Sequence, residues 1–157
     1  MKEHRYQSTV EWTGNSGSGT DHYKNYERSH HIIISGKPVL DGSSDPAFRG
    51  DKSKHNPEDL LVASLSSCHM LWYLHFCSAN GIIVEKYWDT AEGIMLEQED
   101  GKGRFNEVLL NPNVEVRNEQ MIPLAIELHK KAGEYCFIAN SVNFPVLVHP
   151  VVTVESN

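Results

Sequence analysis

Residues 56–80 constrain the fold more than any other part of the chain. Asn56-Pro57-Glu58-Asp59 supplies a capping side chain, a proline where the first turn of a helix has no amide bond to lose, and two acids at the positive end of the helix dipole. Gly81 supplies the stop. The spacing predicts a helix over residues 57–80. At 100° per residue, Leu61, Ser64, Leu65, Leu71, Trp72 and His75 fall within about 60° of Cys68. Cys77, nine residues on, lies about 180° from it, beside Met70, Tyr73 and Leu74. A helix apolar on both sides has to be covered on both, by a sheet on one and by something else on the other.

The remainder of the chain supplies the strands. Residues 6–12 carry large or β-branched side chains at every second position, and a second extended run over 22–34 ends in His31-Ile32-Ile33-Ile34. Strand patterns return at 82–95 and 105–116, separated by the turn Glu99-Asp100-Gly101-Lys102-Gly103, which predicts a hairpin. A second helix is expected from Pro123, with Leu124, Leu128, Ala132, Tyr135 and Cys136 at helical spacing and Gly133 weakening its last turns. Val146-Leu147-Val148 and Val151-Val152-Thr153-Val154 form a closing strand bent at Pro150. Residues 41–55 are rich in Gly, Ser, Pro, Arg and Lys without periodicity, a loop of a length that usually carries function. Strands gathered at both ends with helices between them indicate an α+β fold, and 157 residues suit one domain over 1–157.

Charge excludes some partners. With 14 Lys+Arg against 21 Asp+Glu, the net charge of −7 opposes binding to a phosphate backbone or an anionic membrane. The most apolar stretch, residues 60–84, is interrupted by Ser64, Ser66, Ser67, His69, His75 and Asn80, so no membrane span is expected. Met1-Lys2-Glu3-His4-Arg5 has no apolar signal core, and three cysteines are too few and too odd for a disulfide framework; a reducing cytoplasm is expected. No glycine-rich phosphate loop or dinucleotide fingerprint occurs, so no bound cofactor is implied. His69 and His75 sit about 120° apart on the helix, and His30 and His31 point to opposite faces of a strand, so none of these pairs forms a good metal chelate.

Cysteine chemistry needs a thiolate, an access route and a second thiol to take up the oxidised sulfur. Cys68 and Cys136 can form such a pair, although a cysteine among apolar helix residues is more often just a small buried hydrophobe. Cys68 lies twelve residues beyond Asn56, where the helix dipole has faded, so a reactive Cys68 needs a cation from elsewhere.

The run Asn56-Pro57-Glu58 with Cys68 ten residues after the glutamate resembles the helix signature of the OsmC/Ohr family, the osmotically inducible and organic hydroperoxide resistance proteins. The resemblance extends over Trp12-Thr13-Gly14, the strand start at Gly81 and the late second cysteine, Cys136. It implies a strongly bent antiparallel sheet packed on a long buried central helix, in an intertwined homodimer. It also implies a thiol peroxidase in which Cys68 attacks an organic hydroperoxide and Cys136 resolves the sulfenic acid as a disulfide, reset by an external thiol, for instance of the dihydrolipoyl type. The family uses a glutamate, here Glu58, to hold an arginine that stabilises the thiolate. Residues 15–25 contain no arginine, which leaves Arg49 in the loop before the helix and Arg28 in the second strand as candidates, Arg49 the first choice. Cys136 is followed by Phe137 where the family typically has proline, and Cys77 has no counterpart in the scheme and reads as structural. The competing reading on the same fold is a non-enzymatic carrier whose pocket is lined by Trp72, Tyr73 and Phe76. On a straight helix Glu58 and Cys68 are about 15 Å apart along the axis, a gap that an arginine bridges only in part; either a two-fold partner brings Glu58 of one chain toward Cys68 of the other, or Glu58 only complements the helix dipole.

Overall fold

In the computed structural model, which describes residues 1–154, helix α1 runs over Pro57–Ala79, one residue short of the expected end. Its start is a reciprocal cap: Asn56 Oδ1 accepts the Asp59 amide at 2.8 Å, and Asp59 Oδ2 accepts the Asn56 amide at 3.4 Å. Its end is a Schellman turn, with Gly81 at φ 72°, the Ile82 amide on the Cys77 carbonyl at 2.9 Å and the Gly81 amide on the Ser78 carbonyl at 3.3 Å. The chain divides into two compact units, one ending at Leu60 and one beginning at Leu61. The final three residues of the expected 1–157 domain lie outside the described residues.

In the first unit, β1 (Thr9–Trp12), β2 (His30–Ile33) and β3 (Leu40–Gly42) form an antiparallel sheet in the order β1-β2-β3. The two expected strands shrink to four residues each, and β3 arises where only a loop is expected. Residues 13–29 form the long tip of the β1–β2 hairpin, so Arg28 precedes the second strand instead of lying in it.

The second unit holds β4 (Val84–Asp89), β5 (Glu92–Glu97), β6 (Gly103–Leu110), β7 (Pro112–Val116), helix α2 (Ile122–Tyr135), β8 (Val146–Val148) and β9 (Val151–Val154). The expected hairpin is present, β5 pairing antiparallel with β6, and it continues as the antiparallel pair β4–β7. Each run breaks at one level, between β4 and β5, at Asn111, and at His149-Pro150, giving two three-stranded sheets ordered β4-β7-β9 and β5-β6-β8. The bend is stitched by side chains: Asp89 Oδ1 accepts the Asn111 amide at 2.7 Å, and Asn111 Nδ2 donates to the Thr90 carbonyl at 3.0 Å. The sheets are not antiparallel throughout. β8 runs parallel to β6 and β9 parallel to β7, because α2 provides the crossover that parallel neighbours require.

α1 crosses both sheets of this unit. Leu65 packs with Val108 and Leu110 over β5-β6-β8, while Tyr73, Phe76 and Cys77 pack with Val114, Val116 and the Ala125, Leu128 and Ala132 face of α2. The buried stripe is Leu65, His69, Tyr73, Phe76 and Cys77. The expectation that both faces are covered is not met within one chain: Ala63, Ser67, Leu71, His75 and Ser78 are exposed, four of them small or polar enough to face water at little cost. By length and composition alone α1 would also serve as a membrane span, but its buried stripe is spent on the core of its own chain. α2 is rotated from its expected setting. Ala125, Leu128, His129 and Ala132 face inward, and Leu124 and Tyr135 face out.

Candidate functional site

α1 and the end of α2 bring two thiols together in the second unit. Cys68 is partly buried near the middle of α1, and Cys136 is buried as the first residue after α2. Cys68, Cys77 and Cys136 are all free thiols. Burial first and the neighbouring Cys68 thiol second push the Cys136 thiol up to about 11, against the Ala139 amide, which donates to Cys136 Sγ at 3.4 Å and lowers it. The Asn140 amide closes the turn on the Cys136 carbonyl at 3.0 Å. The arrangement is a pair of reduced thiols, one reachable from solvent and the other held protonated behind it.

Aromatic rings flank this pair. Trp72, one turn after Cys68, meets Phe137 edge-on at 5.5 Å and Tyr135 at 5.4 Å, and Tyr135 and Phe137 remain largely exposed. Phe137, standing where the family pattern has proline, is thus one wall of an apolar surface beside the thiols. Cys77 is on the far side of the helix and fully buried, and burial raises its thiol. Tyr73 and Phe76, the pocket-lining residues of the carrier reading, belong to the closed core instead, with Tyr73 at 0% exposure.

Between the buried faces of α1 and α2 lies a histidine pair that sequence reasoning missed. His69 Nε2 and His129 Nδ1 share a hydrogen bond of 3.0 Å, and the His129 ring stacks on Tyr73 with centroids 3.8 Å apart. Burial depresses both imidazoles, His69 to about 4 despite the nearby Asp89 carboxylate and His129 to about 3 with a further push from His69. Asp89 accepts the Ser66 hydroxyl of α1. The signal for His129 was its place on the spacing 125, 128, 129 and 132, the apolar stripe of α2. Among the described residues no group of three or more His, Cys, Asp or Glu could hold a metal ion.

Glu58, Arg28 and Arg49 lie in the first unit. Glu58 stands partly buried in the first turn of α1. The loop before α1 is ordered despite its irregular sequence. Asp45 Oδ1 accepts the Ala47 amide at 2.7 Å to start a 3-10 turn over Pro46–Phe48, the Arg49 and Gly50 amides close onto the Pro46 and Asp45 carbonyls, and the Asp51 amide donates to Ser43 Oγ at 3.0 Å. Arg49 is held at φ 66°, a left-handed conformation that costs a side chain about 1–2 kcal/mol. Gly50 follows because a Cβ there would fall 1.6 Å from the Ser44 carbonyl oxygen. Arg49 is exposed, whereas Arg28 is pinned, its guanidinium donating to the Tyr26 and Tyr23 carbonyls.

The OsmC-like protein family matches residues 50–149. No curated protein matches the chain. An OsmC-like protein of unknown function from Vibrio cholerae has a similar structure, with a TM-score of 0.84 at 30% identity over 95% of this chain and 100% of that one. An organic hydroperoxide resistance protein from Elizabethkingia anophelis is similar with a TM-score of 0.69 at 20% identity, covering 98% and 100% of the two chains. OhrB, the organic hydroperoxide resistance protein of Bacillus subtilis, is similar with a TM-score of 0.62 at 21% identity, covering 94% and 98%.

Proposed function

Because the chain belongs to the OsmC-like protein family, we propose that it reduces organic hydroperoxides through Cys68 and Cys136. The observation that carries this reading is the neighbouring pair of free thiols contributed by the middle of α1 and the end of α2. The Cys68 thiolate attacks the outer oxygen of the hydroperoxide, the O–O bond breaks, and the inner oxygen leaves as an alcohol after taking a proton, with Cys68 oxidised to a sulfenic acid. Cys136 then attacks the Cys68 sulfur, and the hydroxyl leaves as water with the proton that Cys136 carried. A thiol held up near 11 arrives with that proton in place. An external thiol, of the dihydrolipoyl type or another dithiol, reduces the disulfide and completes the cycle.

Arg49 is the cation assigned to the thiolate, since Arg28 has already committed donors to Tyr23 and Tyr26. The rings of Trp72, Tyr135 and Phe137 favour an aryl or acyl substituent over hydrogen peroxide. A homodimer is the proposed active unit, in the reducing cytoplasm that three free thiols suit. The test is loss of free thiols on adding cumene hydroperoxide, followed by mass mapping of the product. Two thiols should disappear per protein, joined as a Cys68–Cys136 disulfide, and added dithiol should restore turnover. Cys68→Ser should abolish the reaction, Cys136→Ser should allow one oxidation only, and Cys77→Ala should retain activity within about twofold. An unchanged thiol count would reject the peroxidase in favour of a carrier.

A further inference from the structure

Lys131 lies on the exposed side of α2, in the second unit. Glu127 one turn before it and Glu134 one turn after it stand at the spacing of helical ion pairs, yet among the described residues it pairs with neither. Its ammonium lies instead 4.5 Å from the centroid of the Phe76 ring of α1. Phe76 is the far end of a row of rings within the same unit. Tyr135 meets it edge-on at 5.1 Å, Trp72 stacks on it at 5.5 Å, and Phe137 meets Trp72 edge-on at 5.5 Å. The near end of the row belongs to the thiols, because Trp72 follows Cys68 by one turn and Tyr135 and Phe137 bracket Cys136. Phe76 is eight residues beyond Cys68, about 12 Å along α1, and Lys131 is five residues before Cys136, about 7.5 Å along α2. A cation thus closes an apolar track at about 10 Å from the thiols. Tyr135, Phe137 and Lys131 are all exposed, so a molecule can lie along the track without entering the core.

We propose that Lys131 is a specificity-determining residue that binds a carboxylate on the substrate. The preferred hydroperoxide is then an amphiphilic acid, with its peroxide at Cys68, its apolar chain along Trp72, Tyr135 and Phe137, and its acidic end at Lys131. The proposal rests on the peroxidase reading of Cys68. The net charge of −7 repels an anion from the molecule as a whole, so an acidic substrate has to be held by a local cation that no neighbouring carboxylate has claimed. Lys131 makes and breaks no bond; the oxidation and the proton transfers stay with the thiols and the peroxide. An acid too short to reach it would place its charge against the rings and be disfavoured.

The experiment assays the full chain with linoleic acid hydroperoxide and with its methyl ester, and reads the ratio of kcat/KM for the acid over the ester. In the parent the ratio should be about ten and should shrink as salt is added, because salt screens an exposed charge pair. Lys131→Met, which keeps an apolar side chain over Phe76, should bring the ratio to about one through KM, Lys131→Arg should keep it within about twofold of the parent, and Lys131→Glu should drive it below one. Each ratio is taken within one variant, so any packing lost at Phe76 cancels. A parent ratio of one, or a ratio unmoved in Lys131→Met, overturns the proposal, while turnover itself leaves the peroxidase reading standing. Should neither compound be turned over, that reading fails, and the acid site is decided by binding. Linoleate should then quench the tryptophan fluorescence of the Cys68→Ser chain with about tenfold higher affinity than methyl linoleate, a preference lost on adding Lys131→Met. Equal affinities for the two overturn the proposal.

Discussion

Two imidazoles inside a protein core must stay neutral and share the hydrogen bonds they can find. His69 and His129 do so with one bond between them, and His129 Nε2 has no partner among the described residues. In the unfolded chain both would take up protons near pH 6.5, whereas the folded forms resist until about 4 and about 3. Between those limits the unfolded state binds more protons, so the folded state loses stability as the pH falls, and the contribution is fully present only above about 6.5. Each unit of depression is worth about 1.4 kcal/mol, so several kcal/mol are lost on going to pH 4. Urea unfolding at pH 7.5 and pH 4.5 measures this, and His129→Gln, which keeps a hydrogen-bonding side chain but cannot titrate, should flatten the dependence. An unchanged slope in that variant would show that carboxylates govern the acid response. The sequence set His69 aside as a metal ligand, but it could not announce a partner sixty residues away, because only the docking of α2 on α1 makes the pair.

At the scale of elements, two glycines separate strain from collision. Gly81 ends α1 at φ 72° with open space around it, so Gly81→Ala pays only for the left-handed backbone, about 1 kcal/mol, and should lower Tm by roughly 2–4 °C without altering Cys68 alkylation. Gly50 has no such room, and Gly50→Ala must displace the Ser44 carbonyl and with it the loop that carries Arg49. That variant should slow alkylation of Cys68 by iodoacetamide at pH 6 several-fold and, because backbone atoms have to move, lower Tm further than Gly81→Ala does; equal effects of the two glycines on alkylation would argue against the loop. The limits of α1 were legible because its cap and stop are local, encoded in Asn56, Asp59 and Gly81. The breaks in the strands were not. Residues 82–95 read as one run because the bend at Thr90 is made by Asp89 reaching Asn111 across the sheet, a contact without trace in the alternation of either strand. The order in residues 41–55 was hidden for a similar reason, since irregular spacing conceals a loop held by Asp45, Ser43 and Gly50 through the backbone. The cysteines were legible as a possible pair, and their juxtaposition followed only from the packing.

At the scale of the molecule, the stripe Ala63, Ser67, Leu71, His75 and Ser78 leaves one face of α1 open, with Leu71 63% exposed and the partly buried Met70, Trp72 and Leu74 at its margins. Small residues with one large apolar side chain suit close approach of a second helix, and a two-fold axis through this face would set α1 antiparallel to its copy. Glu58 and Cys68 are ten residues apart, about 15 Å along a helix, so antiparallel pairing is the simplest way for the glutamate of one chain to support the arginine proposed to serve the thiolate of the other. If Glu58 merely complements the dipole of its own helix, it contributes about 0.3–1 kcal/mol and nothing to catalysis. Mixing Glu58→Ala chains with Cys68→Ser chains distinguishes these cases. Each homodimer should be inactive toward cumene hydroperoxide, for want of the glutamate in one and of the thiol in the other. A mixed dimer would unite the intact Glu58 of the Cys68→Ser chain with the intact Cys68 of the Glu58→Ala chain, and should recover up to about half of the activity per dimer, one site in two. Sedimentation as a monomer, or no recovery after verified subunit exchange, would leave Glu58 acting within its own chain and the open face of α1 without this role.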